Sequence, residues 1–425
     1  MKKRYEVIIV GAGPAGLFAA CKLQKQFKKI LLIDKGKNSF TRVPTDVLWG
    51  IGGAGLFSDG KLNFTPRLGK TDLTEFLDLS LAEKYRQKTK QLGFDLQIIK
   101  QKHLGSDKLP GYIRGMEKFL KDHGVVIETD SEVTGLIIKD KKIKGLQTKK
   151  GEVLAKNVLL APGRSGNSWL SKELGKAGAA LEQKAIEVGV RVEVPAEVLK
   201  EICATIYDPT FYLHSASFDD ELRTFCTNPT GYVSEEHYGD TSGKEFVCVN
   251  GHAYHDKQST NANFALLDKV SLSEPVTDTI AYGESICKLA ATIGGGKPIL
   301  QRYTDFKRHR RSTWERLSKS YIDPTLKNVT PGDIGMAFPY RIVTNLIEGL
   351  EKLNEMLPGL AGDSTLLYAP EVKFFSVRPK VSKNLETEIK GLFVAGDGAG
   401  VSGNIVGAAA TGIIAARGIF TSLKN

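Results

Sequence analysis

At 425 residues the chain is long enough for about two or three domains, and its 41% hydrophobic and 25% charged residues exclude a fibrous or disordered protein. The net charge of +11 raises nucleic-acid or anionic-membrane binding, but the lysines are scattered, and the one dense run, residues 306–319 (FKRHRRSTWERLSK), reads as a solvated helix face. The five cysteines contain no C-x-x-C pair and their spacing does not suit zinc, so no metal site and reduced thiols in the cytoplasm are expected.

The N-terminal stretch MKKRYEVIIVGAGPAGLFAAC imitates a secretory signal, but Gly11, Gly13, Pro14 and Gly16 interrupt it and a second strand follows. It reads instead as a βαβ unit. Val7 to Val10 form a continuous apolar run suited to a buried parallel strand. In Gly11-Ala12-Gly13-Pro14-Ala15-Gly16, the first glycine permits a tight turn, the second lets backbone approach a pyrophosphate, and the third lets helix pack on strand. The helix beginning near Pro14 aims its amides and positive dipole end at phosphate. Ile30 to Ile33 form the next strand, ending in Asp34 and Lys35; an acid there accepts hydrogen bonds from a ribose hydroxyl. This motif alone leaves FAD and NAD(P) both open.

A second G-x-G-x-x-G lies at Gly50–Gly55. No buried strand precedes it, Gly60 and Pro66 discourage a helix after it, and no acid-terminated strand follows, so it is a loop rather than a second nucleotide site. Val125 to Glu128 read as a further parallel strand, and residues 135–161 as an antiparallel meander ending in NVLLAPG. From 187 to 195, EVGVRVEVP alternates strictly, with Val188, Val190, Val192 and Val194 on one face, as in a half-buried strand of an antiparallel sheet. Segments through KEFVCVNGHAY continue in that style, and from Asn263 to about Leu357 the pattern turns helical. Gly391 to Ala395 form a short buried strand, followed by Gly396-Asp397-Gly398 and a helix of small residues starting near Asn404. No run of about 18 uninterrupted apolar residues exists, so no membrane span is expected.

The strand, the G-D turn and the small-residue helix at the C-terminus resemble the second FAD motif of flavoproteins with a glutathione-reductase-type FAD domain. By that resemblance Gly396 and Asp397 meet the ribitol chain, while Gly403, Asn404 and Ile405 open a helix toward the pyrimidine edge of the flavin, where a helix N-terminus stabilises negative charge. Val133 offers backbone to adenine, Ala161 and Gly163 lie close to the cofactor, and Gly52, Gly53, Ala54 and Gly55 line the flavin, with Ser58, Asp59 and Lys61 nearby. Further segments, GGAGLFSDGKLN, FCTNPTGYV, VNGHAY, NANFALL, LLYAPEVKFFS and GLFVAGDGAG, together resemble the bacterial and archaeal family of uncharacterised FAD-dependent dehydrogenases.

The resulting expectation is an α/β protein. A Rossmann-type FAD-binding domain over 1–166 and 385–425, with a parallel sheet plus an antiparallel meander, carries an inserted α+β substrate domain over 167–384 built on an antiparallel sheet. The resemblance implies an FAD-dependent oxidoreductase passing a hydride between flavin and a small organic substrate, with transiently bound NAD(P)H, a quinone or another electron carrier as donor or acceptor, and no nucleic-acid partner. A flavoprotein monooxygenase and, more remotely, an RNA-binding flavoprotein using residues 306–319 are the competing readings. Residues 225–255 are richest in side chains suited to flavin chemistry; Cys226 as nucleophile or proton donor and His252 as acid–base group are the catalytic candidates. Glu371 and Arg341 are weaker candidates, because salt bridges explain them as well.

Overall fold

The computed structural model describes the chain apart from residues 1–2, 44–45, 47–48, 59–60, 65–66, 69–70, 73–86, 88, 94, 98–99, 184, 207, 240–244, 274–277, 375–376 and 423–425. The chain divides into two compact units. One comprises Met1–Leu62, His103–Lys184 and Phe374–Asn425; the other comprises Asn63–Lys102 and Ala185–Lys373. These bounds differ from the 1–166/385–425 and 167–384 division read from sequence. Leu181–Gln183 pairs with Val377–Pro379, which draws both flanks into the first unit, and Asp95–Gln97 pairs with Thr210–His214, an edge of the second unit's sheet.

In the first unit the strand order is Val126–Glu128, Ile30–Ile33, Lys3–Val10, Gly151–Leu160, Lys142–Thr148, Val133–Lys139. The first four run parallel and the last two complete the antiparallel meander. Gly151–Leu160 serves both parts: its early residues pair with Lys142–Thr148, and Val158 to Leu160 pair in parallel with Leu392–Val394. The uninterrupted apolar run of Lys3–Val10 is explained by cover on both faces. Val7 and Ile9 pack among residues of the helices Pro14–Leu23, Leu109–Asp122 and Ile405–Ser422, while Ile8 and Val10 pack among Leu146, Val153 and Leu170.

Ile405–Ser422 is, among the described helices, the one long and apolar enough to cross a membrane by length and composition, with a mean hydropathy of 1.5. The expectation of no such segment rested on uninterrupted apolar runs, which its Gly and Thr residues break. Its small residues serve close packing: a Cβ on Gly412 would lie 2.1 Å from the Ala15 carbonyl oxygen, so the helix sits against the backbone of Pro14–Leu23.

The second unit is built on a sheet ordered Thr330–Pro331, Ile299–Arg302, Leu366–Lys373, Ile186–Pro195, Asn261–Val270, Glu221–Asn228, Thr210–His214, Asp95–Gln97. All neighbours are antiparallel except the Ile299–Arg302/Thr330–Pro331 pair. A separate hairpin joins Tyr232–Gly239 to Glu245–His252. The helix Tyr340–Met356 buries Leu346, Leu350 and Leu353 completely, and Gly349 lies against Leu222, Leu266 and Leu213 of the sheet. Burial of each such leucine stabilises by roughly 1.5–3 kcal/mol.

Three sequence expectations are corrected here. Ile186–Pro195 is not half-buried: it is a central strand, and Gly189, Arg191 and Glu193, on the face opposite the valines, are buried as well. Asn261–Val270 is not the start of a helical region but a strand paired with Ile186–Pro195 along its whole length. Residues 306–319 are not one solvated helix. Two short helices, Tyr303–Lys307 and Trp314–Leu317, flank a turn organised by fully buried Asp305, which accepts hydrogen bonds from Arg310 Nε (2.6 Å), Ser312 Oγ (2.8 Å) and Arg316 Nη1 (3.4 Å).

Buried Asp268 accepts a 2.8 Å hydrogen bond from Asn345 Nδ2, which also reaches Asp220, itself held by the fork of Arg341. Burial pushes the Asp268 carboxyl up to about 7. Its folded-state value exceeds the unfolded one, so its contribution to stability is complete below about pH 4 and is lost as pH rises toward 7, with a slope of up to roughly 1.4 kcal/mol per pH unit. Asp268→Asn is expected to flatten that slope in thermal melts between pH 4 and 7. In the first unit, Gly412→Ala should lower the melting temperature by several degrees because helix and backbone must separate, whereas Gly111→Ala, whose Cβ meets nothing within 4 Å, should be neutral or stabilising.

Candidate functional site

In the first unit the glycine-rich turn is fixed by sterics. A Cβ on Gly16 would lie 1.9 Å from the Gly11 carbonyl oxygen, so only glycine lets the helix leave the turn this steeply. Asp34 joins the turn to its surroundings. Its Oδ2 accepts from Ala12 N at 2.8 Å, and its Oδ1 accepts from Gly36 N at 2.8 Å and Gly50 N at 2.7 Å. A carboxylate offers about four acceptor positions, so three are occupied by backbone. The sequence assigns Asp34 to a ribose hydroxyl; the structure gives it first a role in holding three backbone segments together.

The second glycine motif lies against the first. Gly52 N donates to the Ala12 carbonyl at 2.8 Å, and a Cβ on Gly53 would come within 3.0 Å of Gly13 Cα. Gly55 faces Pro14, Ala54 is exposed, and Ser58 Oγ donates to the Gly55 carbonyl at 3.0 Å. Asp59 and the side chain of Lys61 lie outside the described residues. Arg42, which the sequence reading did not single out, supports this loop from behind: its Nη1 donates to the carbonyls of Ile51 (2.7 Å) and Gly53 (3.0 Å). Burial lowers its guanidinium to about 10, against the pull of Asp34 and Asp46, so it stays charged at neutral pH.

The C-terminal segments arrive at the same unit. Ala161 N donates to the Val10 carbonyl at 2.7 Å, and a Cβ on Gly398 would collide with the Gly163 carbonyl at 2.0 Å. Gly396 N donates to Thr411 Oγ1. Asp397 accepts from Arg164 Nε at 3.2 Å and from Ser402 Oγ. Asn404 caps the helix Ile405–Ser422: its Oδ1 accepts from Gly407 N at 2.7 Å. Arg164, Ser402 and Thr411 were absent from the sequence reading. Arg164 directly follows Gly163, a signal that adjacency could have supplied.

The donors present fit a dinucleotide. Two glycine-lined turns meet as bare backbone, the N-terminus of Pro14–Leu23 supplies positive potential, and a Cβ on either Gly163 or Gly403 would meet nothing within 4 Å, leaving room beside them. Beyond the end of Ile30–Ile33, a cavity of about 300 Å³ is lined by Lys35, Trp49, Ser131, Glu132, Thr148 and Lys150, among others. Lys35 Nζ lies 4.3 Å over the Trp49 ring, and Lys150 Nζ donates to Ser131 Oγ at 2.7 Å. Val133, where the strand Val133–Lys139 begins, directly follows Glu132 of that lining.

The catalytic candidates lie in the second unit, around a buried polar cluster. Fully buried Arg191 donates through Nε and Nη2 to Asn263 Oδ1 (2.9 and 2.7 Å) and through Nη2 to the Cys226 carbonyl (2.7 Å). Its Nη1 stands 3.5 Å from Glu371 Oε1, which also accepts from Lys373 Nζ at 2.7 Å. Asn228 Nδ2 completes the set on Asn263 Oδ1. Cys226 has φ +54° where the ladder with Asn261–Val270 shifts register, a strained position for a non-glycine residue. A Cβ on Gly251 would lie 1.7 Å from Arg191 Nη2, so the backbone just before His252 rests on the guanidinium. The structure thus brings the Cys226 carbonyl and the Gly251 backbone, next to His252 in the chain, to one arginine. Arg341, by contrast, is engaged with Asp220, and Glu371 is an ion-pair partner.

Comparison with known proteins adds the following. Residues 185–374 match the family described as FAD-dependent protein, C-terminal domain-like; residues 9–68 match the NAD(P)-binding Rossmann-like domain, and residues 337–425 match glucose inhibited division protein A. An uncharacterized protein of Clostridium beijerinckii is 26% identical, the alignment covering 97% of this chain and 80% of that one. Among solved structures, an open flavocytochrome c3 fumarate reductase aligns at 14% identity and TM-score 0.45, covering 100% of this chain and 79% of that one. Glycine oxidase from Geobacillus kaustophilus aligns at 12% and 0.41, covering 99% and 95%.

Asp34→Asn keeps the shape but replaces an acceptor oxygen with a donor amide facing an N–H. It is expected to cost roughly 1.5–3 kcal/mol in stability and about tenfold or more in dinucleotide affinity, read by thermal melts and by titration of the apoprotein.

Proposed function

We propose that this chain is an FAD-dependent oxidoreductase that passes a hydride between bound flavin and a small organic substrate. NAD(P)H serves as a transient electron donor in this reading. When bound, the flavin supplies two-electron redox chemistry, and the protein contributes position, proton transfer and exclusion of water.

The observation that carries the cofactor assignment is the Asp34 carboxylate holding the amides of Ala12, Gly36 and Gly50 in one place, so that two glycine turns present bare backbone together. In this reading Gly11 to Gly16 and Gly52 to Gly55 bind through backbone. Asp397 orients a hydroxylated chain with whatever acceptor capacity Arg164 and Ser402 leave, and the Asn404-capped helix end favours negative charge. Ala161, Gly163 and Gly403 border the same ligand, Lys35 and Val133 border its adenosine end, and Asp59 and Lys61 remain assigned by resemblance alone.

Cys226 Sγ and the His252 imidazole are the groups proposed to hold or move the proton that accompanies hydride transfer. What supports them is the hydrogen bond from Arg191 to the Cys226 carbonyl, the place of His252 directly after Gly251 on that guanidinium, and the strained backbone at Cys226. A polar substrate is favoured, because the cluster leaves Asn228 Oδ1, Asn263 Nδ2 and Glu371 Oε2 without a hydrogen-bond partner among the described residues. The odd count of five cysteines, with no C-x-x-C pair, supports a reducing, cytoplasmic setting. The engagement of Arg310 and Arg316 by Asp305 supports a structural rather than nucleic-acid role for that basic run.

The purified protein should be yellow and should bleach when NADH or NADPH is added without oxygen; a colourless protein that cannot be loaded with FAD would overturn the proposal. Oxygen consumed in step with product would replace it with oxygen-dependent chemistry. With a reducing substrate in hand, Cys226→Ser and His252→Gln should each slow bleaching by roughly 100-fold or more at unchanged flavin content.

A further inference from the structure

We propose that Cys248 and Cys287 form a redox-sensitive thiol pair that closes to an intrachain disulfide when a peroxide or a thiol-oxidising diazene reaches it. Cys248 lies on the strand Glu245–His252 and Cys287 on the helix Thr279–Gly294; they are 39 residues apart in sequence, and their Sγ atoms are 3.5 Å apart. Both are enclosed, at 1% and 0% exposure, and each thiol is the other's hydrogen-bond partner. A disulfide needs about 2.05 Å between sulfurs, so the pair must close by about 1.5 Å, within reach of small side-chain rotations. Solitary buried thiols pack as small apolar groups. This pair differs because sulfur already faces sulfur across two elements.

Cys248 rests as a protonated thiol. Burial, the contact with Cys287 and nearby Glu236 push the Cys248 thiol well above its ordinary value, opposed by the ammonium of Lys373. Oxidation is therefore slow and belongs to sustained oxidant exposure. With hydrogen peroxide, the O–O bond breaks, one sulfur becomes a sulfenic acid and one water leaves. The second sulfur then displaces the sulfenic oxygen, forming the S–S bond and a second water. Both thiol hydrogens end in water, and two electrons pass from sulfur to peroxide.

The consequence lies on the strand that carries Cys248. The same strand bears Asn250 and the Gly251 backbone that rests on Arg191, so the disulfide fastens one side of the polar cluster to a helix. The proposal depends neither on the flavin nor on the proposed substrate chemistry.

The test uses the full-length protein, exposed to hydrogen peroxide or diamide until half-buried Cys226 can no longer be alkylated, which shows that oxidant has acted. The protein is then unfolded at low pH, alkylated and mapped by mass spectrometry. The expected result is a Cys248–Cys287 linked peptide from one chain, reversed by dithiothreitol, with a melting temperature raised by about 5 °C. Cys248→Ser and Cys287→Ser, which preserve size, should each leave the remaining thiol alkylatable and abolish the shift. If Cys248 and Cys287 both stay alkylatable after Cys226 is consumed, or pair only between chains, or proceed only to sulfinic acid, the proposal is overturned.

Discussion

The Asp34 carboxylate is the point on which the first unit's chemistry depends. It gathers amides from the fingerprint turn, from the residues after the second strand and from the start of the second glycine motif, segments that share no secondary structure. Hydrogen bonds to a buried charged acceptor are stronger than neutral ones, so a single side chain sets the separation of two otherwise unsupported loops. Arg42 acts from the other side, taking carbonyls of Ile51 and Gly53, so the loop is held by both its donors and its acceptors. Glycine at 13 and 53 then lets the two backbones meet with no side chain between them.

The second unit solves a different problem. A central strand in a sheet covered on both faces has no solvent side, yet Ile186–Pro195 carries arginine and glutamate on alternate positions. Burying those charges is costly unless each finds partners. Arg191 finds Asn263, the Cys226 carbonyl and Glu371, and Glu193 finds Tyr368 and Thr325. Apolar residues would serve stability as well or better, so a polar interior kept this way is an argument for function in the cluster.

Much of this was legible in the chain before folding was considered. The βαβ unit, the meander, the short C-terminal strand and the small-residue helix all follow from local patterns of apolar runs, turn residues and spacing, and each is found within a few residues of its expected place. The rejection of the second glycine motif as a nucleotide site also rested on local context, and the structure places it beside the first, as a turn running into the short 3-10 helix Gly53–Phe57. Local patterns misled where burial, not periodicity, decided the outcome. The alternation of EVGVRVEVP reads as one dry and one wet face, but neighbours on both sides left neither wet. Asn261–Val270 carries enough helix-compatible residues to read as helix, and pairing along its full length with Ile186–Pro195 overrode that preference.

The sequence by itself determined the cofactor class and the elements of the Rossmann-type unit, because glycine spacing, strand ends and helix starts act over a few residues and leave a local imprint. Tertiary structure alone decided that Asp34 ties three backbones, that Arg42 holds carbonyls of the second glycine loop and Arg164 meets Asp397, and that the Cys226 carbonyl and the Gly251 backbone meet at Arg191. Those contacts join residues up to 233 positions apart, as with Arg164 and Asp397, and no local pattern encodes a partner that only folding brings near. A hydrogen bond or a buried ion pair is specified by geometry at a few ångströms, and sequence separation carries no information about that distance.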